Sequence, residues 1–234
     1  MVLVALPPIT QDAACWHWLA QKFDITPEFP GHIPGAKVLD CFTLEGLADD
    51  VAGQIDEPAD VIGVAMGSLV AQHLALRHPD KVRSLVLACA PAQMLDGQAY
   101  VERAVSGLLY GMEHVANETA PRWFSSESLS AGLPGVAYAM ERLRTFSPVT
   151  YARIWGAVAG HQTGSRLAAI RCPTTVVSGR HDASASPREL WELHRLISGS
   201  RFLSLEGPHM MHLAQPSLLS EAIDVHLEWA ASTL

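Results

Sequence analysis

The chain has 234 residues, of which 49% are hydrophobic and 17% charged, and its formal net charge is -8 at pH 7. This length is sufficient for one large hydrophobic core and short for two, so we expect a single compact domain. Nucleic acids and anionic membranes bind clustered lysine and arginine, and the chain contains no basic run. The composition therefore argues against both as partners and favours a small-molecule substrate, while a homodimer stays open.

The cysteines indicate a reducing compartment. They are scattered without C-x-x-C spacing, at Cys15, Cys41, Cys89 and Cys172. No secretory segment precedes the first apolar run, and residues 1–6 are too short to span a bilayer. Reduced thiols in the cytoplasm are the simplest interpretation.

Short apolar runs alternate with helical patterns along the chain, which predicts right-handed βαβ crossovers in a mostly parallel sheet. The runs are residues 2–6, a weaker one at 23–29, and then 60–65, 83–89, 174–178 and 201–205. We therefore predict an α/β fold with about six strands flanked by helices. Residues 91–171 have helical composition, which predicts a cap inserted after the fourth strand, over a core of residues 1–90 and 172–234.

Residues 60–79 have the pattern of a buried strand, a tight turn and a helix, which is the setting of a hydrolase nucleophile elbow. The strained turn requires small neighbours, and Gly63 and Gly67 meet that requirement. Ala65 stands where the G-x-S-x-G pattern has serine, and its methyl group cannot attack a carbonyl. A plain structural turn or a phosphate loop would also fit, although neither G-x-G-x-x-G nor a P-loop motif occurs nearby.

An acid and a histidine follow later strands. Asp182 comes after the run that ends at Gly179, and His209 lies on the loop beyond the next run, which is the triad order of α/β-hydrolases. Asp182 could instead cap the helix that begins near Pro187. His209 and His212 could form a metal pair, but no third ligand has metal spacing, so we predict neither a metal nor a cofactor.

On these motifs the chain resembles the α/β-hydrolase superfamily over nearly its whole length. The motifs are Gly63-x-Ala65-x-Gly67, Gly179-x-x-Asp182 with Pro187, and Gly207-x-His209 with Gln215-Pro216. Within the superfamily, three further segments resemble 3-oxoadipate enol-lactonases and their relatives: Arg122-Trp123-Phe124, Ser147-Pro148 to Tyr151, and Arg166 to Pro173.

Two departures from the family pattern concern the first strand. The family has His-Gly after this strand, whereas here Pro7, Pro8 and Ile9 follow it. Proline has no amide hydrogen, so only Ile9 of these three can donate a backbone N–H to an oxyanion, and Met66 would supply the second donor. The hairpin that usually precedes this strand is absent, so we expect a trimmed sheet.

The predicted cap contains arginines but no lysine, namely Arg103, Arg122, Arg142 and Arg144, with Arg153 just after them. Arginine binds carboxylates in a bidentate manner, and the lactonase resemblance implies an anionic substrate, for which Arg122 is the first candidate. Ordinary ion pairs with the nearby glutamates are the competing explanation. Trp123 and Trp155 would wall an apolar pocket or simply pack the cap.

The predicted function is hydrolysis of a small ester or lactone through an acyl-enzyme, with His209 as general base, Asp182 as its orienting acid and Ala65 as the inactive nucleophile position. The alternatives are a carbon–carbon bond hydrolase or amidase with the same triad, a cofactor-free perhydrolase or oxygenase, and a non-catalytic ligand-binding pseudo-hydrolase. Serine and alanine codons differ by one base, and a natural pseudoenzyme has little reason to retain both partners. Deliberate inactivation is therefore the favoured interpretation of Ala65.

Overall fold

The computed structural model describes residues 2–33, 42–94 and 96–233. Among these residues, one five-stranded sheet has the order β1-β2-β3-β4-β5, and every pairing is parallel. The strands are β1 (Leu3–Leu6), β2 (Ala59–Val64), β3 (Val82–Ala88), β4 (Thr174–Gly179) and β5 (Arg201–Leu205). β1, β2 and β4 are buried at every residue, as expected of parallel strands that are covered on both faces.

The weak apolar run at residues 23–29 is not a full strand. It contributes a single parallel bridge between Val4 and Ile25, at the edge of β1. Pro27 and Pro30 have no N–H group with which to continue a ladder, which explains why pairing stops there. The described part of the sheet therefore has five strands where about six were expected, and the long helical segment follows the third strand instead of a fourth.

Ten α-helices lie in the described residues. Five surround the sheet: α1 (Leu44–Ala52), α2 (Met66–Arg77), α8 (Pro187–Leu196), α9 (Met211–Ala214) and α10 (Pro216–Thr233). The other five lie between β3 and β4: α3 (Gly97–Tyr110), α4 (Met112–Trp123), α5 (Ser126–Ser130), α6 (Pro134–Thr145) and α7 (Pro148–Ala159). None of the helices in the described ranges combines the length and apolar character needed to cross a membrane.

Local sequence signals fix where several helices begin. Thr43 caps α1 by accepting the Gly46 N–H at 3.0 Å. Ser186 and Glu189 form a reciprocal capping box at the start of α8. Proline occupies the first turn of α6, α7 and α8, where its missing N–H has no helical partner in any case.

The topology brings the functional loops together. Because all the strands are parallel, their carboxyl ends share one edge of the sheet, and the loops after β1, β2, β3 and β4 meet there. α2 is buried on nearly all sides from Met66 to Ala75, so the turn that precedes it lies inside the molecule. The helices between β3 and β4 also reach this edge, since a Cβ on Gly135 of α6 would lie only 2.6 Å from the Leu213 carbonyl oxygen of α9.

Candidate active site

The turn between β2 and α2 has the strained backbone of a nucleophile elbow. Ala65 has φ 49° and ψ -116°, a conformation that costs an L-residue on the order of 1–3 kcal/mol. Close approach of the flanking backbone maintains this turn, because a Cβ on Gly63 would lie 2.5 Å from the Gly67 carbonyl oxygen, and one on Gly67 would lie 1.9 Å from that of Leu6. The two glycines are therefore required by contact, and the alanine methyl group stands where a hydroxyl would be presented.

Asp182 and His209 form a buried hydrogen-bonded pair. His209 Nδ1 lies 2.8 Å from Asp182 Oδ2, and the two residues are only 6% and 7% exposed. The other carboxylate oxygen, Oδ1, accepts the backbone N–H groups of Ser184 at 2.7 Å and Ala185 at 2.8 Å. With Nδ1 donating to the carboxylate, the His209 tautomer leaves Nε2 as the acceptor. Since Ser186 caps α8, Asp182 is not the cap of that helix.

One pocket contains nearly all the residues predicted from the sequence. Its cavity volume is about 60 Å³, and its walls are mainly apolar. Its lining includes seven of the predicted site residues: Ile9, Ala65, Met66, Arg122, Trp123, Trp155 and His209. Asp182, the eighth, lies behind His209 and bonds to it. The structure therefore brings all eight predicted positions into one site.

Ile9 and Met66, the residues of the two predicted backbone donors, line the pocket with Ala65. Met66 is the first residue of α2, where N–H groups have no partner within the helix and the helix dipole is positive. Ile9 follows two prolines and precedes Thr10, which has φ 66°. Neither the Ile9 nor the Met66 N–H donates to an acceptor in the part of the chain that the structure describes. Both groups are therefore available to an anionic oxygen.

α6 supports the loop that contains Ile9. Arg142 donates from Nε to the Thr10 carbonyl oxygen at 3.2 Å and lies 3.5 Å from the Asp12 carboxylate. The Tyr138 hydroxyl donates to Asp12 Oδ1 at 2.8 Å and accepts the Asp12 backbone N–H at 3.0 Å. A helix from the segment between β3 and β4 therefore positions the predicted oxyanion loop.

Arg122 differs from other arginines of the segment. Its Nη2 donates to Thr119 Oγ1 at 2.9 Å, and burial, followed by the charge of Arg103, lowers the pKa of its guanidinium. Arg142 and Arg144, by contrast, pair with carboxylates, the latter with Glu113 at 3.1 Å. The ordinary ion-pair explanation therefore holds for those two arginines and does not account for Arg122.

Tyr100 was not among the predicted site residues, and Arg103 was one of several cap arginines predicted as possible ligands of an anionic substrate; both line the pocket. The Arg103 guanidinium lies 5.0 Å from the Tyr100 ring centroid and 5.2 Å from that of Trp155. The two rings are themselves stacked, with their centroids 5.6 Å apart. A tyrosine three residues before an arginine on α3 is the only local signal, because Trp155 belongs to α7.

The remaining histidines of interest have other environments. His212 is fully buried, and its Nε2 lies 3.0 Å from Gln11 Oε1. Burial, with a smaller contribution from His209, lowers the pKa of His212 to about 3, so it stays neutral behind the pocket. His32 is buried against the rings of Phe29 and Phe146, and His181 is exposed.

Cys89 lies beside the aspartate–histidine pair. Its sulfur and ligand atoms of Asp182 and His209 all lie within 4.8 Å of one another. Burial, followed by the charge of Asp182, raises the pKa of the Cys89 thiol well above its ordinary value. Cys89 also lines the wall of the pocket. Cys41 lies outside the described residues.

This fold, with its elbow and histidine–acid pair, defines an α/β-hydrolase. Residues 3–222 match the alpha/beta hydrolase family, and the chain belongs to that family. It is 31% identical over 198 residues to pimeloyl-(acyl-carrier protein) methyl ester esterase of Neisseria meningitidis, covering 79% of this chain and 76% of the relative. It is 25% identical over 206 residues to 3-oxoadipate enol-lactonase 2 of Acinetobacter baylyi, covering 86% and 77%.

Solved structures show the same fold. A hydrolase from Pseudomonas aeruginosa superimposes with a TM-score of 0.88 at 25% identity, covering 97% of this chain and 89% of the other. The enol-lactonase from Burkholderia xenovorans superimposes with a TM-score of 0.89 at 24% identity, covering 97% and 91%. The predicted α/β-hydrolase fold is confirmed, and so is the resemblance to enol-lactonases. The similarity to a methyl ester esterase agrees with the predicted hydrolysis of esters.

Proposed function

We propose that this chain has the active site of a serine hydrolase acting on small esters or lactones, made inactive by alanine at position 65. The observation that carries the proposal is the buried pair of Asp182 and His209 at a pocket whose elbow residue is Ala65. A pocket that had lost its catalytic purpose would not need a histidine whose tautomer is held by a buried carboxylate. We therefore assign residue 65 as the nucleophile position.

The reaction needs only one atom that the chain lacks. With serine at position 65, the hydroxyl oxygen attacks the ester carbonyl while His209 Nε2 accepts the hydroxyl proton. Asp182 stabilises the resulting imidazolium, and the Met66 and Ile9 N–H groups bind the negative oxygen of the tetrahedral intermediate. His209 then protonates the leaving alkoxide, and a water molecule activated in the same way releases the acid from the acyl-enzyme.

The pocket supports an ester or lactone that carries a carboxylate. Trp123 and Trp155 contribute apolar wall, while Arg122 presents a guanidinium without a carboxylate partner in the described residues. The similar proteins are named for ester chemistry, one as a methyl ester esterase and the other as an enol-lactonase. On this proposal residues 91–171 act as a cap over a core of residues 1–90 and 172–234.

Ala65→Ser is the direct test. We expect hydrolysis of short esters and lactones to rise by on the order of 10⁴-fold or more, because triad residues act as a unit and loss of the nucleophile is nearly complete. Ala65→Gly is the matched control, since glycine relieves the positive φ but adds no hydroxyl. Product analysis against a panel of esters, lactones, an amide and a 1,3-diketone identifies the bond that is cleaved.

Each outcome of this screen assigns a class. Cleavage of the amide or the diketone in preference to the esters would favour the amidase or carbon–carbon bond hydrolase. Background rates for Ala65→Ser and Ala65→Gly alike, with the pocket still binding ligands, would overturn the enzyme assignment and favour a ligand-binding pseudo-hydrolase.

A further inference from the structure

The Arg103 side chain is fixed by its aromatic neighbours. Its guanidinium lies over both the Tyr100 ring of α3 and the Trp155 ring of α7. Stacking of this kind holds the planar group in one orientation and leaves its edge N–H donors free. Arg103 therefore reaches the active-site pocket from a rigid support, as does Arg122, which Thr119 holds from α4.

Neither arginine has a carboxylate partner. Among the described residues, no carboxylate oxygen lies within 4.0 Å of the guanidinium of Arg103 or Arg122. The nearby glutamates have other partners, because Glu118 pairs with His114 at 3.3 Å and Glu102 accepts the Gln98 amide at 3.0 Å. The charge of Glu118 offsets only part of the lowering of the Arg122 pKa by burial and by Arg103, so an anion that binds both guanidinium groups would reduce the repulsion between them.

The two arginines also line a second cavity. This cavity, here called the outer groove, is formed by residues of α3 and α4, including Tyr110, His114 and the acidic residues Glu102 and Glu118. The active-site pocket and the outer groove share two lining residues, Arg103 and Arg122. A ligand that extends from the pocket into the groove would lie beside both arginines.

We propose that Arg103 and Arg122 together bind an oxyanion at the junction of the pocket and the outer groove, so that the substrate is an extended ester with a carboxylate or phosphate group several atoms from its reacting carbonyl. This proposal rests on the proposed function, since it takes the carbonyl to lie at Ala65. It goes beyond a single carboxylate contact at Arg122, because it assigns a second binding residue and an exit for the rest of the molecule.

The geometry makes the site sensitive to substrate length. At one end the carbonyl oxygen must reach the Met66 and Ile9 N–H groups, and at the other the oxyanion must reach two guanidinium groups fixed on separate helices. An apolar space of fixed size lies between these ends. A chain that is too short reaches only one end, and a chain that is too long must fold inside the pocket. Affinity should therefore peak at one chain length and fall on either side of it.

The chain as it stands allows binding to be measured without turnover. Calorimetry would use linear dicarboxylic acid monomethyl esters of increasing length, their neutral dimethyl esters, and methyl esters that end in a phosphate monoester. We expect the best anionic ester to bind at least about tenfold more tightly than its neutral counterpart, with an optimum length. The phosphate series distinguishes the two oxyanion sources, and tighter binding than the carboxylate series would assign phosphate.

Arginine variants test the two-residue clamp. Arg103→Gln and Arg122→Gln should each weaken binding of the anionic ester by about tenfold or more while leaving the neutral ester unchanged, and the double variant should abolish the preference. Arg144→Gln is the matched control, because Arg144 pairs with Glu113 outside the pocket. Arg103→Lys keeps the charge and should retain part of the preference, which separates charge from loss of stacking.

The results that would contradict the arginine clamp differ from those that would contradict the proposed function. Equal binding of the acid and its dimethyl ester by the unaltered chain would overturn the proposal, as would an Arg103→Gln variant that keeps the full preference. If the Ala65→Ser variant hydrolyses neutral esters but has no acid preference, the clamp fails and the proposed function stands. If the unaltered chain shows an arginine-dependent preference but serine at position 65 gives no hydrolysis, the clamp stands and the proposed function fails.

Discussion

At the scale of single residues, the backbone at Ala65 has the strained conformation of a tight strand-to-helix turn. Ala65 keeps a positive φ that alanine does not favour, and its N–H still donates to the Ala88 carbonyl oxygen at 2.9 Å. The packing of β2 against α2 offsets the conformational free energy of this strain, and that packing does not depend on the side chain at position 65. Restoring the oxygen therefore requires no rearrangement of the backbone.

The partners of that oxygen give the second prediction, to be made in the Ala65→Ser background. His209→Ala should return activity nearly to the level of the unaltered chain, whereas Asp182→Asn should be severe but leave more residual rate, because it spoils the tautomer without removing the base. His181→Ala is the matched control, since His181 adjoins Asp182 in sequence but is exposed and pairs with Glu206. Steady-state rates on the preferred ester are the measurement. More than about a tenth of the activity left after His209→Ala would assign the base elsewhere.

Sequence order was sufficient to predict that Asp182 and His209 lie close together, because each follows a strand of a parallel sheet and such ends share one edge. It was insufficient for the arginines. Arg103 depends on a tryptophan from α7, and the difference between Arg122 and Arg142 depends on which helix faces Asp12. Contacts between helices distant in sequence leave no local pattern, so only the folded structure separates these arginines.

At the scale of elements, the apolar runs were sufficient to predict the five strands of the sheet. The run at residues 23–29 is the exception, and its cause is local. This run has the composition of a strand, but Pro27 within it and Pro30 just after it lack the N–H donors that a ladder needs. The helices were predicted as a class, and their boundaries follow caps and prolines that are readable in the sequence. The packing of α2 against β1 could not be predicted from the sequence, since it depends on a backbone contact between Gly67 and Leu6.

That contact gives the third prediction. Gly67→Ala places a Cβ 1.9 Å from the Leu6 carbonyl oxygen, so β1 and α2 must separate, and we expect a loss of about 3 kcal/mol or more in unfolding free energy. Gly156→Ala on α7 is the control, because a Cβ there meets nothing within 4 Å and should stabilise the exposed helix by about 0.5–1 kcal/mol. Urea denaturation of both variants measures the difference. Similar free energies for the two variants would contradict the close contact.

At the scale of the whole molecule, buried neutral histidines are spread through the core. Burial lowers the pKa of His161 and of His212 to about 3, and the pKa of His32 and of His226 to about 4, from an ordinary value of 6.5. His73, which lies 3.2 Å from His161 between ring nitrogens, has a pKa that burial lowers in the same direction. The folded protein therefore resists protonation at several sites that the unfolded chain protonates readily.

The last prediction follows from this difference in proton binding. Above pH 6.5 the histidines are neutral in both states, and their burial contributes no pH dependence. As the pH falls below 6.5, the histidines of the unfolded chain bind protons. The buried histidines of the folded protein bind them only near pH 3 or 4, so the unfolding free energy declines between these pH values. At pH 5 each such histidine costs about 2 kcal/mol, and several together approach the total stability of about 5–15 kcal/mol of an ordinary domain.

We therefore expect unfolding near pH 5 in moderate urea, at a pH where the surface carboxylates are still ionised. His212→Gln should reduce the slope of unfolding free energy against pH by about one proton's worth, because glutamine can keep a bond to Gln11 without titrating. His181→Gln is the comparison variant, because the His181 side chain is exposed. Urea titrations at intervals between pH 7 and pH 4.5 provide the measurement. An unfolding free energy that stays constant across that interval would contradict this prediction. It would mean that the histidines are protonated in the folded state as readily as in the unfolded state.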